Sequence, residues 1–276
     1  MTKTAVPGEP NPREAAESAG DIGFRRFDCT GEDPASLAEA YEAARQVIAD
    51  GKCIVLPTDT VYGIGVDAFS AEAVQRLLDA KNRGRDMPPP VLIAEPVLFR
   101  TLAAEVPDAA QALADRHWPG ALTVICRIQP SLQIDLGDTE GTIALRVPDH
   151  ELARDILRST GPMAVSSANI SGQPAAVTCD EAIEQLGDSV SVYLDGGPLG
   201  GEGGAPSTIV DFTRHDDGEV LRRGALSVET LRETVPRLRD LTSEPQDRPN
   251  GPSSGPGSNG ADSGGGDDGS ELSAGG

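Results

Sequence analysis

Cys53-Ile54-Val55-Leu56-Pro57-Thr58-Asp59-Thr60-Val61-Tyr62-Gly63-Ile64-Gly65 is the stretch on which the reading of this chain turns. Its first four residues are apolar, two of them β-branched, and they form a short buried strand. Pro57 has no N–H to continue a ladder, and Thr58, Asp59 and Thr60 are polar, so the strand ends there. Gly63 and Gly65 then punctuate a turn in which backbone can approach another group closely. Strand ends of this kind are where α/β proteins place ligands.

The flanking sequence supplies the rest of such a domain. Asp33 is an N-cap and Pro34 a first-turn residue for a helix whose apolar positions run from Leu37 to Ile48 and which Gly51 closes. Ser70 caps a second helix through Val74, Leu77 and Leu78 to Lys81. Met87-Pro88-Pro89-Pro90 breaks the chain before a strand at Val91 to Ala94. Helical spacing recurs at Val97 to Ala104 and Pro107 to Trp118, and Pro119-Gly120 turns into a strand at Leu122 to Cys126. A strand at Ile143 to Val147, a helix at Glu151 to Arg158 and a strand at Met163 to Ser166 follow. Thr178 and Glu181 form a capping box for a helix to Leu186. Strands at Val190 to Leu194, Thr208 to Phe212 and Glu219 to Arg222 complete the alternation. Strands alternating with helices predict an α/β domain with a mixed, twisted sheet and flanking helices.

Composition bounds the domain. Residues 1–20 are polar and rich in Pro, Glu and Ala, and residues 241–276 are rich in Gly, Ser, Asp and Pro. Neither can bury enough apolar surface to offset the entropy of ordering, so both are expected to be disordered, leaving residues 21–240 as one folded domain. The chain carries a formal charge of −21 and a pI near 4.4, which opposes passive docking on nucleic acid or an anionic membrane and reads as a solubility device. No secretory signal is evident, and no apolar run approaches the roughly 20 residues of a membrane span. Four cysteines without a C-x-x-C pair, beside three histidines, disfavour a zinc site. Cys53 and Cys126 lie in apolar runs as small buried thiols, and free thiols fit a cytoplasmic location.

Three segments carry further chemistry. Lys81 and Arg83, with Arg85 beyond, stand at a helix C-terminus, either as solvated cations complementing the dipole or as a clamp for phosphate. Arg146 ends an alternating strand before Pro148, and a buried guanidinium there requires either a protein carboxylate or an anionic ligand. Ser167-Ala168-Asn169, ahead of Ser171-Gly172, is either a plain polar turn or a place where small hydrogen-bonding groups meet a ligand. The glycine-rich run Gly196 to Gly204 lacks the Gly-Lys-Ser/Thr ending of a P-loop and the context of a dinucleotide fingerprint. No G-x-S-x-G element of a serine hydrolase occurs.

Taken in order, these segments resemble the YrdC-type family of L-threonylcarbamoyl-adenylate synthases. The likeness rests on Pro57-Thr58-Asp59-Thr60-Val61-Tyr62-Gly63, Lys81-x-Arg83, Pro119-Gly120-Ala121-Leu122-Thr123, Arg146-Val147-Pro148, Ser167-x-Asn169, Ser207-Thr208-Ile209-Val210-Asp211 and Leu221-Arg222-Arg223-Gly224, and it covers about Phe27 to Leu231. It implies a YrdC-like twisted sheet with a concave substrate face, in the short form without an extra C-terminal domain. It implies an enzyme, a nucleotidyltransferase that makes threonylcarbamoyl-AMP and pyrophosphate from L-threonine, bicarbonate or CO2, and ATP, for tRNA threonylcarbamoyladenosine. Carried over residue by residue, Lys81, Arg83 and Arg146 are catalytic; Lys81, Arg83, Thr142, Asn169 and Arg222 bind nucleotide; and Thr60, Arg146, Ser167 and Ser207 bind threonine. Mg2+ is expected through the ATP phosphates, with no metal ligands from the protein. A separate threonylcarbamoyl transferase acts downstream, tRNA binding is weak at most, and no membrane partner is implied. The chain departs from the family pattern at Gly84-Arg85, at Leu92 and at Ser166. The alternative is an RNA-binding or ribosome-associated YrdC-like module without turnover.

Overall fold

Asp33 and Pro34 start the first helix, α1 (Pro34–Ala49), as their chemistry requires, the Asp33 carboxylate accepting from the Ala35 and Ser36 N–H groups. The computed structural model describes residues 23–31, 33–199 and 204–242, all within one compact unit. The terminal segments expected to be disordered, 1–20 and 241–276, lie outside the described residues except for Leu241 and Thr242. Among the described residues six further α-helices follow: α2 (Ala71–Ala80), α3 (Phe99–Leu102), α4 (Asp108–His117), α5 (Glu151–Thr160), α6 (Cys179–Leu186) and α7 (Val228–Thr234). Thr178 caps α6 by accepting from the Glu181 N–H, while the Glu181 carboxylate turns back to the Val177 N–H.

The described strands are β1 (Arg25–Asp28), β2 (Ile54–Leu56), β3 (Gly63–Asp67), β4 (Val91–Leu92), β5 (Ala103–Ala104), β6 (Leu122–Ile128), β7 (Thr142–Arg146), β8 (Met163–Ser167), β9 (Val192–Asp195), β10 (Thr208–Asp211), β11 (Glu219–Arg222) and β12 (Arg239–Asp240). They form one mixed sheet in the order β1-β9-β2-β3-β8-β4-β7-β6-β10-β11-β12, with β5 on β6. β2 pairs antiparallel with β3, so Pro57 to Tyr62 is a hairpin connection between neighbouring strands.

Alternation along the strands separates two faces. Val55, Ile64, Val66, Val91, Val124, Leu145 and Ala164 pack with α2 and α4 in the larger core. On the other face Ile54, Leu56, Leu92, Met163, Val165 and Leu194 pack with α1 and α5. In register, Leu92 neighbours Arg146, Ile125 neighbours Ala144 and Ile209 neighbours Thr123, so this second face continues as Thr123, Ile125, Thr142, Ala144, Arg146 and Ile209. Those residues line a cavity.

The structure departs from the sequence reading where tertiary contacts decide. β3 was expected as a turn, because Gly63 and Gly65 depress strand propensity. A Cβ at Gly63 would meet Val165 Cγ1 at 2.7 Å and one at Gly65 would meet Met163 Cε at 2.6 Å, so both glycines admit side chains of β8. The helix expected at Val97 to Ala104 is a 3₁₀ turn (Pro96–Leu98), the short α3 and then β5, because Ala103 and Ala104 pair with β6. β1, β12 and α7 carried too few apolar residues to stand out. Among the described residues, no helix is long and apolar enough to cross a membrane.

Candidate functional site

The cavity has a volume of about 370 Å³ and draws its lining from β3, β4, β6, β7, β8, β10 and β11, from the turn after α2 and from the connection before β7. Of the residues singled out in the sequence, Thr60, Arg83, Thr142, Arg146, Ser167, Asn169, Ser207 and Arg222 all face it. Lys81 does not.

Arg146 lies at the end of β7 and is 6% exposed. Its Nη2 donates to Asp59 Oδ1 at 2.6 Å, Nη1 to Thr60 Oγ1 at 3.0 Å and Nε to the Gly120 carbonyl at 3.0 Å. The two readings left open for Arg146 are therefore not exclusive. It has a carboxylate partner, yet these three bonds use three of its five N–H groups, leaving one on each terminal nitrogen for an anion. Burial pushes its pKa down and the Asp59 carboxylate opposes that. The hydroxyls beside it form a directed chain. Thr58 Oγ1 donates to the Val61 carbonyl at 2.7 Å, so its contact of 3.0 Å with Thr60 Oγ1 has Thr60 as donor, and Thr60 is in turn the acceptor from Arg146.

Ser207 and Thr123 share a hydroxyl contact of 2.7 Å, and Arg222 donates from Nε and Nη2 to the Ser207 carbonyl at 3.2 and 2.8 Å. Gly224 is required here, since a Cβ would stand 2.2 Å from the Pro206 carbonyl oxygen. Arg83 reaches the opposite wall, where Nη1 donates to Ser166 Oγ at 2.9 Å and Nε is buried without a partner. Burial, followed by the Arg146 and Arg83 charges, pushes Arg222 below its ordinary value, and burial does the same to Arg83. Thr142 donates its hydroxyl to the Thr139 carbonyl at 2.7 Å, which keeps only its acceptor capacity for a ligand.

Lys81 is 1% exposed, so a solvated helix-end cation is not what the structure places there. It is the C-cap residue of α2, and its ammonium donates to the Ser167 carbonyl, to the Asn169 carbonyl at 2.6 Å and to Asn169 Oδ1 at 3.3 Å. Three acceptors match its three protons. Burial, reinforced by the Arg83 charge, brings its pKa down to about 8. Asn169 spends its amide protons on the Ile170 and Gln173 carbonyls at 2.9 and 2.7 Å. Together Lys81 and Asn169 fix the loop after β8, and Ser167 sits at its start.

The electrostatic result is specific. Among the described residues three guanidiniums and no carboxylate, histidine or lysine line the cavity, within a chain of charge −21. Such a hole is built for an anion carrying more than one charge. Sequence reasoning left Asp59, Thr123 and Ser166 without roles. The signal for Asp59 was a carboxylate between two threonines, and for Thr123 a lone hydroxyl in an otherwise apolar strand. Among the described residues no group of three or more His, Cys, Asp or Glu could hold a metal ion.

Comparisons with known proteins identify relatives of the chain. The family model Sua5/YciO/YrdC, described as telomere recombination, matches residues 46–224. The chain is 49% identical over 209 residues to a Mycobacterium tuberculosis protein named putative threonylcarbamoyl-AMP synthase, covering 76% of this chain and 94% of the relative. It is 34% identical over 193 residues to the threonylcarbamoyl-AMP synthase of Pyrococcus abyssi, covering 70% of this chain and 56% of the relative, so it spans little more than half of that longer protein. The solved structure of P. abyssi Sua5 complexed with L-threonine superposes with a TM-score of 0.72 at 30% identity, over 79% of this chain and 62% of that one. E. coli YciO shares the fold, with a TM-score of 0.66 at 23% identity over 75% of this chain and 99% of that one. With a family model matched over most of its folded part and a relative 49% identical over 209 residues, this chain belongs to the Sua5/YciO/YrdC family.

Proposed function

We propose that the chain is an L-threonylcarbamoyladenylate synthase, joining L-threonine, bicarbonate or CO2, and ATP into threonylcarbamoyl-AMP with release of pyrophosphate. The observation that carries the reading is the cavity in which Arg83, Arg146 and Arg222 converge beside the hydroxyls of Thr60, Thr123 and Ser207, with no lining carboxylate among the described residues.

Arg146 offers its two remaining N–H groups to the threonine carboxylate, held in orientation by Asp59, Thr60 and Gly120. Thr60, Ser167 and Ser207 line the amino-acid end. The threonine nitrogen attacks the carbon of CO2, forming an N–C bond and losing a proton, and a carbamate oxygen then attacks the α-phosphorus of ATP. The bond from that phosphorus to the bridging oxygen of pyrophosphate breaks. Arg83 and Arg222 take up charge developing on the phosphate oxygens, and Thr142 contacts the nucleoside. Lys81 and Asn169 act by holding the Ser167 to Gln173 loop. No covalent enzyme intermediate is needed. Mg2+ enters as part of the Mg–ATP substrate, bound by phosphate oxygens. The labile product passes to a transferase that acts on tRNA, both in the cytoplasm.

The test is pyrophosphate release from Mg–ATP by the full chain, with threonine and bicarbonate omitted in turn. Release that depends on both, with mass detection of the adenylate, is the expected result. Salt-dependent tRNA binding without nucleotide turnover would sink the reading in favour of an RNA-associated module.

A further inference from the structure

Arg83 is the cavity cation with least protein to hold it. The guanidinium has one hydrogen-bond partner among the described residues, Ser166 Oγ at 2.9 Å, and its Nε is buried and unpartnered. A guanidinium has no lone pair to accept with, so in this contact Ser166 is the acceptor. The Ser166 proton must therefore point elsewhere, and no described group accepts it. Ser166 is 8% exposed and lines the cavity. A hydroxyl that accepts from a cation is polarised into a better donor. Buried donors of this kind need an acceptor.

We propose that Ser166 is itself an anion-binding residue, donating its hydroxyl to a phosphate oxygen of the ligand that Arg83 grips. Arg83 and Ser166 then form a two-part clamp in which Ser166 both orients the guanidinium and adds a neutral donor. The assignment of the ligand to a nucleotide triphosphate or its pyrophosphate product rests on the synthase reading. Ser166 lies on β8 and Arg83 on the turn after α2, and the two side chains meet where both line the cavity.

The experiment uses the full chain as wild type, Ser166→Ala and Ser166→Thr. Binding of inorganic pyrophosphate is measured by calorimetry, and KM for ATP, KM for threonine and kcat by pyrophosphate release. Losing one hydrogen bond to a charged group should weaken pyrophosphate binding and raise KM for ATP about tenfold, with KM for threonine unchanged. Ser166→Thr, which keeps the hydroxyl, should restore both. Wild-type pyrophosphate affinity in Ser166→Ala overturns the proposal, as does an equal rise in both KM values, which would mean a distorted cavity. If wild type binds pyrophosphate through Ser166 but shows no threonine-dependent turnover, the clamp stands and the synthase reading falls.

Discussion

Arg146 concentrates the chemistry of the site at the residue scale. On the synthase reading its removal deletes the anchor for the threonine carboxylate, and it leaves the half-buried Asp59 without its partner, a change that costs about 3 kcal/mol, the low end for a buried pair. Arg146→Ala should raise KM for threonine at least about a hundredfold and lower the urea midpoint. Asp59→Asn keeps a hydrogen-bond acceptor, so it should lower stability less while still weakening threonine binding. Kinetics and denaturation of both variants check the pair. Lys81 makes a prediction in pH. Its folded-state value of about 8 lies below the ordinary 10.5, so the charged ammonium costs stability at neutral pH, and that cost is relieved as pH rises between the two. Its grip on Ser167 and Asn169 runs the other way, because a neutral amine has two protons for three acceptors. KM for ATP in wild type should therefore rise as pH passes through about 8, even while the contribution of Lys81 to unfolding free energy improves. A KM flat from pH 7 to well above that value would contradict this role.

Among the elements, the β3–β8 pairing is the most exacting. Gly63 and Gly65 leave room for Val165 and Met163, so a methyl at position 63 has to displace Val165 or part the strands. Gly63→Ala should cost about 1–3 kcal/mol, as overpacking does, and it should also weaken threonine binding because Gly63 lines the cavity. Adding Val165→Ala removes the clash and should recover part of the lost stability. Urea midpoints of the single and double variants decide whether the two substitutions couple. Additive losses would mean that the glycine matters for some other reason.

At the scale of the whole molecule, the chain carries a charge of −21 and its cavity three guanidiniums. Salt acts on these two features in opposite directions. Near 1 M salt the screening length falls to about 3 Å, which relieves the self-repulsion of an acidic chain and should raise the thermal midpoint. The same screening weakens the attraction of the cavity for ATP, so KM for ATP should rise over the same range. Thermal unfolding and initial rates along one salt series test both. A midpoint that falls with salt would show that the ion pairs, such as those Arg158 makes with Glu95, Glu151 and Asp155, outweigh the net repulsion.

Local chemistry made much of this protein legible in its sequence. Caps at Asp33, Ser70 and Thr178 marked helix starts, alternation around Val124 and Leu145 marked strands, and the order of polar motifs named the family and most residues around the cavity. These signals act over a few residues, so they survive in a linear reading. Tertiary structure alone decided what depends on distant partners. It made Gly63 to Asp67 a strand, because the space those glycines leave is filled from β8. It turned Lys81 away from the cavity, and it joined Arg146 to Asp59 and Arg83 to Ser166 across 87 and 83 residues of chain. A charge or a hydroxyl has the same identity in either setting, but its partner is set by packing, and packing is where its role is fixed.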